Sequence, residues 1–130
     1  MDADTRGSAA RSDPGATNPP VAVPPGGRVC VLAGFYEGLE LPIDAPRRVL
    51  GRGRDADWML SELTLSRAHA AFGFDGHGFF VEDLGSTNGT WVNGVRQARA
   101  RLCDGDEVQI GKLRLRVALP ASIAPPEGVS

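Results

Sequence analysis

The segment Lys112 to Leu119, KLRLRVAL, constrains the fold most: Leu113, Leu115, Val117 and Leu119 fall on one face, and Lys112, Arg114 and Arg116 on the other. Alternation with a period of two is what a strand with one buried face requires, and a helix would scatter these residues around its axis. Shorter runs of the same kind recur along the chain as RVCVLAG, GLELPI, RRVLG, HAAFGF, FFVEDL, TWV and DEVQIG. Between them lie FYEG, DGHG, STNG, VNG and CDGD, built from residues that favour turns. Strand-length runs punctuated about every eight to twelve residues predict an all-β sandwich or barrel. Only Trp58 to Leu65 looks briefly helical, and no internal repeat is visible. Asn93-Gly94, between TWV and VRQ, predicts a two-residue hairpin of type I′, because both central residues of that turn need positive φ.

The first 27 residues are rich in Pro, Gly, Ala and Ser and lack apolar periodicity, so 1–27 is expected to be a disordered tail or linker. Residues 120–130 read the same way, which leaves Arg28 to Leu119 as one folded domain. With 42% hydrophobic residues, the chain can bury a real core. A net charge of −2 works against any broad nucleic-acid or membrane surface, although local basic patches remain open. The start of the chain lacks the pattern of a signal peptide, and no run approaches the roughly 18 apolar residues of a membrane span. The expectation is a soluble, cytoplasmic protein. Cys30 and Cys103 are the only cysteines, and without Cys-x-x-Cys spacing neither a metal nor another cofactor is expected. Each sits among apolar residues and is expected to be a small buried core residue, with a disulfide between them as the lesser alternative.

Three connections carry more polar chemistry than a turn needs. In DLGSTNGTWVNG, the run Gly85, Ser86, Thr87, Asn88, Gly89 is either a well-capped loop or a set of side chains facing a ligand. In VLGRGRDADWML a strand ends at Gly51-Arg52, where an arginine either stays solvated or projects its planar five-donor fork into a groove. In TLSRAHA, Ser66, Arg67 and His69 lead into a strand. Ser-x-x-His raises the question of a hydrolase, but there is no G-x-S-x-G elbow and no evident third group to orient the imidazole. A histidine entering a strand is better read as bonding backbone groups through its ring nitrogens and fixing the loop. His77, in DGHGF, is expected to be an exposed turn residue. Loops at one end of a sandwich converge in space. Together the three suit a phosphate gripped by arginine and oriented by hydroxyls, with an asparagine free for an extended peptide backbone. Binding without turnover is the natural reading.

Gly51-Arg52, Ser66-x-x-His69, GSTNGTWVNG and LCDGDEVQIG, in this order and spacing, resemble the forkhead-associated (FHA) family of phosphothreonine-binding domains. The resemblance implies an eleven-stranded β-sandwich of the SMAD/FHA type, with the peptide site in the loops at one end. It implies a phosphothreonine-containing protein or peptide as partner, a Ser/Thr kinase upstream and an adaptor role in signalling. By the same resemblance, Arg52 and Ser66 would bond the phosphate, Arg67 would add a peptide or phosphate contact, and Thr87 and Asn88 would face the peptide, Asn88 bonding its main chain. His69 would brace the Ser66 loop, while Gly51, Gly85 and Gly89 would set loop geometry. Trp58 stands where the family usually has a smaller aliphatic residue or cysteine, and is expected to be at least partly buried. Arg54 either meets acidic peptide residues or sits in solvent, the second being favoured. Thr64 lies where some relatives carry a basic residue that selects an acidic side chain three positions after the phosphothreonine, and its neutrality argues against that selectivity. A phosphate-independent assembly subunit is the alternative function. For the tail, a plain linker is favoured over phosphorylation of Thr5 or Thr17 and return of that segment to the chain's own site.

Overall fold

The computed structural model describes residues 22–120. Thr5, Thr17 and most of the two expected tails, 1–21 and 121–130, lie outside that range. Eleven strands follow one another: β1 (Arg28–Val31), β2 (Glu40–Pro42), β3 (Arg47–Gly51), β4 (Trp58–Met59), β5 (Ala70–Phe74), β6 (Phe79–Asp83), β7 (Thr90–Val92), β8 (Val95–Arg96), β9 (Arg99–Arg101), β10 (Glu107–Ile110) and β11 (Leu113–Ala118). They form a six-stranded sheet, ordered β2-β1-β11-β10-β7-β8, and a five-stranded sheet, ordered β4-β3-β5-β6-β9. Every pairing is antiparallel except the short parallel contact of β3 with β4.

The alternation that predicted β11 is realised residue by residue, with Leu113, Leu115 and Val117 buried and Arg114 and Arg116 exposed. Facing it across the sandwich, Leu50, Phe72, Phe79 and Val81 supply the core from the second sheet. Each large side chain fully withdrawn from water contributes about 1.5–3 kcal/mol. The predicted hairpin is present: Asn93 has φ 50° and Gly94 φ 86°, and β7 pairs with β8 on either side of them.

Trp58 to Leu65 is not helical. Leu50 of β3 pairs with Trp58, the Leu60 N–H donates to the Gly51 carbonyl, and Trp58 packs against Phe72 with ring centroids 5.8 Å apart. Trp58 is partly buried, as expected. The cysteines differ from expectation as well. Val29 and Val31 point inward, so Cys30 between them takes the outward face of β1 and is only half-buried. Cys103 is exposed in the turn before β10, and both thiols are free. Strand β9 had no sequence signature because only Ala100 meets the core, while Arg99 and Arg101 face outward to bond Asp75.

Candidate functional site

The site grows from the end of β3. Beyond Gly51 the chain keeps pairing with the segment that precedes β5: the Arg52 N–H donates to the Ser66 carbonyl and the Gly53 N–H to the Arg67 carbonyl, both at 3.0 Å. Such an approach excludes side chains at the two glycines. A Cβ on Gly51 would stand 2.0 Å from the Arg67 carbonyl oxygen, and one on Gly53 2.9 Å from the Arg67 Cβ. Neither glycine has positive φ, so their role is steric clearance. By contrast, Gly85 and Gly89 have φ values of 78° and 87° and serve the backbone conformation of their loop.

Arg52 is exposed, and its Nε donates to the Leu65 carbonyl at 3.0 Å, which aims the side chain and leaves the two terminal amino groups facing outward. His69 is fully buried and braces the next loop. Its Nδ1 accepts the Ser66 N–H at 3.0 Å, so Nε2 carries the hydrogen and donates to the Gly89 carbonyl at 2.8 Å. Both ring nitrogens therefore bond backbone, as expected, and neither faces Ser66 Oγ. That hydroxyl oxygen instead accepts the Thr87 N–H at 3.2 Å. Asn88 is exposed and donates through Nδ2 to the Thr64 carbonyl at 2.8 Å, leaving Oδ1 and one N–H for other partners. Arg52, Ser66, Thr87 and Asn88 thus meet in one network joining three loops. Arg67 follows Ser66, exposed beside it, and Arg54 is exposed as well. His77 sits exposed in its turn, as expected.

The hydroxyls of the 85–90 loop answer to a residue that the sequence reading passed over. Asp83 accepts the N–H groups of Gly85 and Ser86 at 3.0 Å, Ser86 Oγ at 2.6 Å and Thr90 Oγ1 at 2.8 Å. Burial opposes the charge of this carboxyl, but the hydrogen bonds from Ser86, Thr90 and Gly85 outweigh it and hold the group below its ordinary range. Ser86 Oγ in turn accepts the Gly89 N–H, and the Trp91 indole donates to the Asn88 carbonyl. Ser86 and Thr90 are therefore structural, whereas Thr87 and Asn88 carry the exposed side chains of the loop. The signal for Asp83 was present: an aspartate two residues before a glycine is the start of an Asx-turn. Thr64 is also committed, donating to Glu62 and accepting the Lys112 N–H, both at 2.8 Å.

Among the described residues, no carboxylate lies within ion-pair distance of Arg52, Arg54 or Arg67. Among them, too, no cluster of three metal-ligating side chains occurs and no helix is long and apolar enough to cross a membrane. The arrangement offers exposed guanidinium, hydroxyl and amide groups on a braced frame, chemistry suited to a phosphorylated peptide.

Comparison with known proteins agrees. The FHA domain family matches residues 48–111. The glycogen accumulation regulator GarA of Mycolicibacterium smegmatis is 42% identical over 108 residues, covering 82% of this chain and 68% of that protein. The oxoglutarate dehydrogenase inhibitor of Corynebacterium diphtheriae is 42% identical over 89 residues, covering 68% of this chain and 62% of that one. Among solved structures, one from a study of phosphothreonine-dependent FHA domain interactions superposes with a TM-score of 0.66 at 30% identity, over 72% of this chain and 96% of that one. The FHA domain of FhaA, solved with the intracellular domain of a partner protein, gives 0.64 at 30% identity, over 71% and 99%. This chain belongs to the FHA family, whose domains take part in phosphothreonine-dependent interactions.

Proposed function

We propose that the end of the sandwich bearing Arg52, Ser66, Arg67, Thr87 and Asn88 holds a phosphothreonine of a kinase substrate, and that this chain works in the cytoplasm as an adaptor without catalysing a reaction. The observation that carries the reading is the fixed Arg52: its Nε is spent on the Leu65 carbonyl, so its two amino groups are pre-aimed at a bidentate anion. Ser66 Oγ and the free amide atoms of Asn88 stand in the same network, for phosphate and for peptide main chain respectively. Gly51, Gly85, Gly89 and His69 hold that frame. The Ser66 and His69 geometry argues against nucleophilic catalysis, because no imidazole nitrogen is placed to take the hydroxyl proton. The names of the relatives, a metabolic regulator and an enzyme inhibitor, support a role in which binding alone alters a partner's activity.

The test is binding to a degenerate phosphothreonine peptide library, with phosphoserine and unphosphorylated libraries as controls. Phosphothreonine-dependent enrichment is expected. Equal retention of the unphosphorylated peptides would replace this reading with phosphate-independent assembly.

A further inference from the structure

We propose that a groove beside the phosphate site, walled by Arg47, Arg54 and Arg67, receives a second negative charge carried by the same ligand, in the form of an acidic or second phosphorylated side chain near the phosphothreonine. The inference rests on the phosphothreonine reading above.

The groove encloses about 540 Å³ on the outer face of the five-stranded sheet, and Val49 and Leu84 give it apolar lining against which arginine stems can lie. Its charge is unbalanced. Arg28, Arg48, Arg99, Arg101, Arg114 and Arg116 each have a carboxylate within ion-pair distance. Among the described residues, none of Arg47, Arg54 and Arg67 does, and Asp55 is the single carboxylate lining the groove with them. Three guanidiniums against one carboxylate, in a chain of net charge −2, concentrate positive potential where an anion would relieve it.

The groove is continuous with the site already described. Arg67 follows Ser66, and its carbonyl accepts the N–H of Gly53, the residue between Arg52 and Arg54. An extended peptide advances about 3.3–3.6 Å per residue, so an anion only a few positions from the phosphothreonine reaches the groove. This selectivity is separate from the one weighed at Thr64, whose hydroxyl is held by Glu62 and the Lys112 N–H. It uses other residues, and Thr64 does not line the groove.

The experiment titrates the full chain with three phosphothreonine peptides, having neutral flanks, Asp/Glu flanks or a phosphoserine in the flank, against the parent and an Arg47→Gln/Arg54→Gln variant. The acidic peptides should bind the parent about tenfold tighter than the neutral one, as the product of exposed ion pairs each contributing roughly two- to threefold. That preference should shrink in high salt and fall to about two- to threefold, the share left to Arg67, in the variant, whose affinity for the neutral-flank peptide stays unchanged and so reports an intact fold and phosphate site. Comparison of the carboxylate and phosphate arms identifies which anion the groove takes. Equal affinity of the parent for acidic and neutral peptides, or a preference undiminished in the variant, overturns the groove and leaves the phosphothreonine reading standing. Failure of the neutral-flank peptide to bind the parent overturns both.

Discussion

His69 lies fully buried between two loops of the site, with one ring nitrogen on the Ser66 N–H and the other on the Gly89 carbonyl. His69→Ala leaves both backbone groups without their partner and opens a cavity, so we expect a loss of roughly 2–4 kcal/mol in urea unfolding. Weaker phosphopeptide binding should accompany it, because Ser66 and the loop after Asp83 lose their common brace. A variant of unchanged stability would contradict that role. At this scale the sequence was most legible where side-chain chemistry is concentrated in turns, as at Arg52, Ser66 and Asn88. It was least legible where a residue's neighbours misled. Cys103 sits beside Leu102, yet the turn it opens leaves it exposed, with its N–H bonded to Asp106. Asn88, expected to bond a peptide main chain, also holds the Thr64 carbonyl with one of its amide hydrogens. A contact across 24 positions has no trace in local spacing.

The element that shapes the proposed peptide-facing surface is the loop from Asp83 to Thr90, and its conformation hangs on one carboxylate. Folding lowers the Asp83 pKa, so the stability it contributes is present above the ordinary carboxyl pKa near 4 and is lost as pH falls through the lower folded value. Asp75 adds to the same acid limb, chiefly because the Arg101 hydrogen bond holds it far below its ordinary range. Asp83→Asn should destabilise the protein by about 1–3 kcal/mol at neutral pH, and should flatten the fall in stability on acidification. Unfolding followed from pH 7 downward checks both, and an unchanged acid limb would remove Asp83 from the account. Strands showed in the sequence where one face is buried, as in β11, and disappeared where it is not. Strand β9 has an apolar contact only at Ala100 and is held from outside, with the Arg99 guanidinium 4.0 Å from the Phe80 ring and bonded to Asp75. Strand β4 is two residues long and pairs in parallel with β3, too short for any period to register.

For the whole molecule, the division of labour follows from the sandwich. The core sets the two sheets, and one end gathers Arg52, Ser66, Thr87 and Asn88 through backbone and side-chain hydrogen bonds between β3, the segment before β5 and the loop after β6. Sequence pattern predicted an all-β sandwich or barrel, and the family resemblance supplied the strand number, since alternation cannot count strands as short as β4 and β8. Phosphate binding by the aimed guanidinium of Arg52 is the property on which the proposed function depends. The most direct measurement is calorimetric titration of the parent chain and Arg52→Ala with one phosphothreonine peptide and its unphosphorylated twin. Arg52 is exposed and its side chain makes only one hydrogen bond within the described residues, to the Leu65 carbonyl, so the variant should fold. We expect the parent to bind the phosphorylated peptide alone and the variant to lose about 2–5 kcal/mol of that binding. Undiminished phosphopeptide affinity in a folded Arg52→Ala protein would contradict the central claim.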